Sequence, residues 1–89
     1  MDKAEKIWLD GKLVAWDEAK VHVLTHALHY GVGVFEGIRA YKTADGRSAV
    51  FRLREHLQRL YDSAHILLIE IPFPAERLGQ ACVETLRAN

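Results

Sequence analysis

The sequence predicts an α+β domain: a mostly antiparallel sheet built from hairpins, with two helices packed on it. Three observations predict it. Asp10-Gly11 and Asp45-Gly46 each lie between short runs of apolar and β-branched residues. Such a pair is the strongest local hairpin signal, because both of its residues tolerate positive φ. Leu57, Leu60, Tyr61, Ala64 and Leu68 recur at helical spacing. A second helical set, Leu78, Ala81, Cys82, Thr85 and Leu86, follows two prolines, Pro72 and Pro74.

Taken in order, IWLDGKLVAW (Ile7 to Trp16) is the first hairpin, framed by Trp8 and Trp16. Asp17-Glu18-Ala19-Lys20 breaks the apolar pattern and reads as a turn. Val21 to Tyr30 fits a short strand followed by a helical turn. From Val34 to Lys42 the β-branched and aromatic residues favour a strand. Ala44-Asp45-Gly46-Arg47 turns it, and Ser48 to Leu53 returns as its antiparallel partner. Arg54 to Leu68 is the clearest helix, with Glu55, Gln58, Arg59, Asp62 and His65 on its polar face. The prolines forbid helix in the connector from Ile69 to Pro74. Ala75 to Leu86 is the second helix.

With 89 residues the chain is long enough for one small domain. Such a domain buries only about two-thirds of its unfolded surface and is marginal without partners. Twelve basic and 12 acidic residues cancel to a net charge of zero, so electrostatics argues for neither nucleic acid nor an anionic membrane as partner. Cys82 is the only cysteine, so no internal disulfide can form, which fits a reducing compartment. MDKAEKIWLDGK carries no signal-peptide pattern, and the longest apolar run, Ile66 to Ile69, is far too short to span a bilayer. A soluble, cytoplasmic protein is the simplest reading. ACVETLRAN reads as helix with no stop signal behind it, so the chain is expected to be a piece of something longer.

HALHYGVGVFEGIRAY, from His26 to Tyr41, is the stretch with chemistry in it. GVGVFEG resembles a phosphate-cradling loop, but its glycines are spaced G-x-G-x-x-x-G and a strand follows where that motif needs a helix. His22, His26 and His29 would share one face of a helix, yet no further metal-ligand cluster accompanies them. The plainer expectation is that they cap turns or bridge backbone groups, with no metal bound. A small-molecule pocket is the third reading. Alternation along a strand turns Phe35, Gly37, Arg39 and Tyr41 one way and Val34, Glu36, Ile38 and Ala40 the other. An apolar wall, a gap and a cation on one face, with Tyr30 closing it, would suit a ligand with one aliphatic end and one carboxylate. The competing reading is a face covered by a helix, with Arg39 reaching out to solvent. The pattern alone favours neither.

HALHYGVGVFEGIRAY followed by VFRLREHLQRLYDSA resembles the N-terminal region of bacterial branched-chain amino acid aminotransferases, fold-type IV enzymes that use pyridoxal 5′-phosphate. IWLDGKLVAWDEAKVHVLTH is similar to the family's opening hairpin and the loop after it. The similarity covers nearly the whole chain and weakens after Pro72. D-amino acid aminotransferases and aminodeoxychorismate lyases are relatives; the VFEGIRAY and REHLQRL wording favours the branched-chain group.

The resemblance implies that residues 1–89 are the small domain of such an enzyme, without its larger catalytic domain. Tyr30, Phe35 and Gly37 match positions lining the pocket for the substrate side chain, and Arg39 matches an arginine at that pocket. Arg59 matches the arginine that binds the cofactor phosphate, a role suited to a guanidinium's fixed charge and paired donors. On the helix pattern alone, Arg59 would instead make surface ion pairs with Glu55 and Asp62. The implied reaction moves the amino group of leucine, isoleucine or valine to 2-oxoglutarate, giving a 2-oxo acid and glutamate. It needs a Schiff-base lysine. None of Lys3, Lys6, Lys12, Lys20 and Lys42 matches that position. No catalytic residue is therefore expected in this chain, which should be inactive alone. The family also implies a homo-oligomer, a dimer or a trimer of dimers. An apolar face near Tyr30 and Phe35 should be exposed once the larger domain is absent. The alternative is a free-standing binding or dimerisation module of the same fold.

Overall fold

The computed structural model describes residues 2–89. Strands β1 (Lys6–Leu9) and β2 (Lys12–Ala15) pair antiparallel, with Ile7 opposite Val14 and Trp8 opposite Leu13. The turn between them is two residues long, and both take positive φ, Asp10 at 48° and Gly11 at 102°. That is the turn whose twist matches the strands it joins. A short 3-10 turn, Trp16–Glu18, ends the hairpin. The region from Val21 to Tyr30 forms no strand; its one element is the helical turn α1 (His26–Tyr30).

The second hairpin pairs β3 (Ala40–Lys42) with β4 (Ser48–Val50), Tyr41 facing Ala49. Its loop is closed by the Thr43 N–H on the Arg47 carbonyl (2.7 Å) and by Asp45, which accepts from the Thr43 hydroxyl and the Arg47 N–H. The two hairpins are separate two-stranded sheets among the described residues. The strand expected over Val34 to Lys42 is therefore paired only at its end. The reason is the partner: β4 stops at Val50, the Phe51 N–H makes a last bond to the Arg39 carbonyl (2.8 Å), and the chain then turns into helix.

Helices α2 (Leu53–Ile66) and α3 (Ala75–Arg87) pack against each other. Leu57 and Ala64 of α2 and Ala81 of α3 are the buried apolar residues at the centre. Pro74 precedes α3 in extended backbone, as its fixed φ favours. Leu68 departs from the expected stripe. The helix ends at Ile66, and Leu68 lies beyond it with φ of 57° and 90% exposure. Trp8 of β1 meets Phe73 edge-on at 5.2 Å, with the Arg77 guanidinium over its ring at 5.4 Å. At the other end of α3, the Asn89 side chain clasps β1. Its Oδ1 accepts from the N–H groups of Glu5 (2.7 Å) and Lys6 (2.9 Å), while Nδ2 donates to the carbonyls of Lys6 (3.0 Å) and Thr85 (2.8 Å). Between hairpins and helices lies an apolar cavity of about 310 Å³, lined by Trp8, Ile38, Val50, Leu57, Leu60 and residues of α3.

Candidate functional site

The segment after α1 is built unlike the rest of the chain. Gly31 ends α1 in left-handed backbone (φ 66°), its N–H on the Ala27 carbonyl at 3.1 Å, a conformation glycine adopts without penalty. From Val32 to Ile38, among the described residues, the main chain makes no backbone hydrogen bond. Alternation nevertheless holds: Val34, Glu36 and Ile38 are half-buried, and Phe35, Gly37 and Arg39 are exposed. Ile38 enters the apolar cavity, and Glu36 reaches α2.

Glu36 is the polar anchor of this segment, with a side chain only 7% exposed. Arg59 grips it side-on: Nε donates to Oε1 at 2.5 Å and Nη2 donates to Oε2 at 2.7 Å. His56, one helical turn earlier, places Nδ1 at 2.7 Å from the same Oε2. A carboxylate accepts and does not donate, so Nδ1 carries the proton in that bond. The 3.5 Å approach of Arg59 Nη2 to Nδ1 is then a meeting of two donors that share one acceptor. First the bond from Arg59, then that from His56, hold the Glu36 carboxyl at about 2, against desolvation that would raise it.

Arg59 itself stays 65% exposed on its side chain. A guanidinium has five N–H donors, and the side-on grip uses two of them. Its outer edge, Nη1 with the second hydrogen of Nη2, takes no carboxylate, and the side chain lines a cleft of about 330 Å³ together with Phe51, Arg52, Glu55 and His56. Arg52 sits at the start of α2 with φ of 52°, a backbone strain of the kind that collects at functional sites, and its guanidinium lies 3.7 Å from Glu55. Two guanidinium groups on one cleft, one of them held in plane and open along an edge, suit a phosphate. The residues present thus fit the phosphate end of a cofactor such as pyridoxal phosphate. All five lysines are exposed and none lines this cleft.

The structure places the sequence-predicted residues in two groups. Tyr30 (72% exposed), Phe35 (90%), Gly37 and Arg39 lie on an outward surface, with Gly37 open on its Cβ side. Arg59 instead pairs with Glu36, on the opposite row of that segment. None of Tyr30, Phe35, Gly37 and Arg39 is among the residues that line the Arg59 cleft. A bridge does exist: Phe51, a wall of the Arg59 cleft, meets Tyr41 edge-on at 6.1 Å and hydrogen-bonds the Arg39 backbone. The expected ion pairs of Arg59 do not form. Glu55 pairs with Arg52, and Asp62 accepts from Gln58 at 2.9 Å. Sequence reasoning missed Glu36, His56 and Arg52. A signal for the first two was present, an acid on the inward row and a His–Arg pair one turn apart in REHLQRL.

Two of the three clustered histidines bind backbone groups. The Leu24 N–H donates to His22 Nδ1 at 3.0 Å, and His29 Nε2 donates to the Val23 carbonyl at 2.6 Å. His26 meets the Tyr30 ring edge-on at 5.1 Å.

Residues 33–89 match the family model of amino-transferase class IV. The branched-chain-amino-acid aminotransferase of Pseudomonas aeruginosa is 51% identical over 88 residues, 99% of this chain and 28% of that protein. The Escherichia coli branched-chain amino acid aminotransferase structure superposes with a TM-score of 0.93 at 50% identity, over 98% of this chain and 28% of that one. A branched-chain amino acid aminotransferase from T.th. superposes at 0.91 with 55% identity, over 98% and 29%. It was solved complexed with N-(5′-phosphopyridoxyl)-L-glutamate and with 4-methylvaleric acid. The chain thus spans less than a third of the length of these relatives and corresponds to their N-terminal portion. It belongs to the class IV aminotransferase family.

Proposed function

We propose that residues 1–89 are the N-terminal small domain of a two-domain, cytoplasmic branched-chain amino acid aminotransferase that works as a homo-oligomer. The whole protein transfers the amino group of leucine, isoleucine or valine to 2-oxoglutarate. The observation that carries this reading is Arg59, its outer edge free of Glu36, on one cleft with Arg52, in a chain that over 99% of its own 89 residues is 51% identical to part of such an enzyme. In this assignment Arg59 holds the cofactor phosphate. Tyr30, Phe35, Gly37 and Arg39 form one side of the substrate pocket, with Phe35 excluding water from an aliphatic side chain and Gly37 leaving room for it. The 4-methylvaleric acid bound by the T.th. relative, an aliphatic chain with one carboxylate, has the shape this row suits. Bound pyridoxal phosphate supplies the electron sink that amino transfer requires. The lysine and the acid that partners the pyridine nitrogen belong to the larger domain.

The test is made on the full-length product of the reading frame beyond Asn89. It is expected to show a visible band from bound cofactor and turnover of leucine, isoleucine or valine with 2-oxoglutarate. Arg59→Ala should weaken cofactor binding about tenfold or more, the loss of a charge-assisted pair. A product without cofactor absorbance, or one that turns over only D-amino acids, would overturn the reading.

A further inference from the structure

We propose that Glu36 is a positioning residue for the cofactor phosphate, its carboxylate fixing the plane of Arg59 so that the outer guanidinium edge faces the cleft. The inference rests on the assignment of Arg59 to the phosphate made above.

An arginine on an exposed helix face is mobile about its side-chain torsions, and 65% of the Arg59 side chain is in solvent. Its own helix offers two competing acids, Glu55 and Asp62, and the structure gives both other partners. The acid that takes Arg59 is 23 residues away in sequence. It binds side-on, through Nε and Nη2, and so occupies the one edge of the fork that a phosphate does not need. The carboxylate is in turn fixed by burial and by the Nδ1–H of His56. On charge alone this arrangement opposes phosphate binding, because Glu36 neutralises part of the cation it holds. Orientation is what it contributes: a pre-set fork loses less freedom when the ligand arrives. The same carboxylate is the polar tie of a segment without backbone hydrogen bonds, so it also sets where Phe35 and Gly37 stand relative to Arg59.

The experiment compares dissociation constants of pyridoxal 5′-phosphate and of pyridoxal, which lacks the phosphate, for cofactor-free full-length protein. Titrations follow absorbance, with no turnover involved. Glu36→Gln should lower the preference for the phosphorylated form about tenfold while pyridoxal binding holds steady, since an amide cannot accept from both donors of the fork. Glu36→Asp, which keeps the charge and withdraws it by one methylene, should give a smaller loss in the same direction. It stands as the second variant should the glutamine form not fold. Arg59→Ala should lose most of the preference, and Glu36→Gln added to it should cost nothing further. Three results would overturn the proposal, each in its own way. If Arg59→Ala keeps the preference, the phosphate assignment of Arg59 fails and Glu36 falls with it. If Arg59→Ala loses it and both Glu36 variants keep it, the positioning role alone fails. If a Glu36 variant weakens both ligands equally, its part is only in folding.

Discussion

The carboxylate of Glu36 lies between a permanent cation and an imidazole N–H, and it is almost out of solvent. Its proton affinity carries a stability consequence. Its carboxyl stands at about 2 in the fold against 4.5 for a free one, so the unfolded chain takes up this proton first as pH falls. The contribution is therefore fully present above pH 4.5, declines below it, and is gone once pH has passed down through about 2. The measurement is the difference in Tm between the protein and its Glu36→Gln variant as a function of pH. A constant gap near neutrality that closes between pH 4.5 and 2 is expected; a gap unchanged down to pH 2 would show that ionisation of Glu36 does not support the fold. At this scale the sequence was half legible. Alternation put Glu36 on the row opposite Phe35, as found, but did not say which of the two rows faces inward. Its pairing with Arg59 stayed hidden, because helical spacing rules see only neighbours three and four residues away and this pair is joined across 23.

At the level of elements, the legible parts are those with local causes. Asp10-Gly11 made its hairpin, and α3 begins at Ala75 as the prolines require. What periodicity could not supply was the length of a strand whose partner ends early, or the point at which a helix stops without glycine. Leu68 shows the second case. Its N–H bonds the His65 carbonyl at 3.1 Å and the Ile69 N–H bonds the Ala64 carbonyl at 2.8 Å, the bond pair of a helix end that normally has glycine at the left-handed residue. Here a leucine takes φ of 57°, which costs roughly 1–2 kcal/mol in an L-residue. Because Leu68 is 90% exposed, its side chain returns little in burial within this chain. Leu68→Gly is expected to stabilise the isolated chain by about 0.5–1 kcal/mol after the added flexibility of the unfolded state is counted. Urea denaturation at constant m-value reads it directly, and a loss of stability would mean that Leu68 makes a contact worth more than the strain.

Across the whole molecule, what is buried is small beside what is left open. Leu57, Ala64 and Ala81 are the buried apolar residues, while Val21, Val23, Leu24, Leu28, Tyr30 and Phe35 are 62–90% exposed along a single stretch of chain. An apolar cavity of about 310 Å³ lies between hairpins and helices. Covering apolar surface gains about 25 cal/mol per Å², and large open apolar surfaces on soluble proteins mark interaction sites. The relatives carry more than twice as much chain again, and the proposed larger domain gives this surface a partner. The 89 residues on their own are thus expected to self-associate, with apparent mass rising with concentration in light scattering, and to bind an apolar fluorescent dye. Supplied with pyridoxal phosphate, leucine and 2-oxoglutarate, they are expected to form no glutamate, because no lysine borders the Arg59 cleft. A monodisperse monomer that leaves the dye dark would mean that the exposed stretch needs no cover. Glutamate formed by this chain alone would mean that one of its exposed lysines does the chemistry assigned to the larger domain.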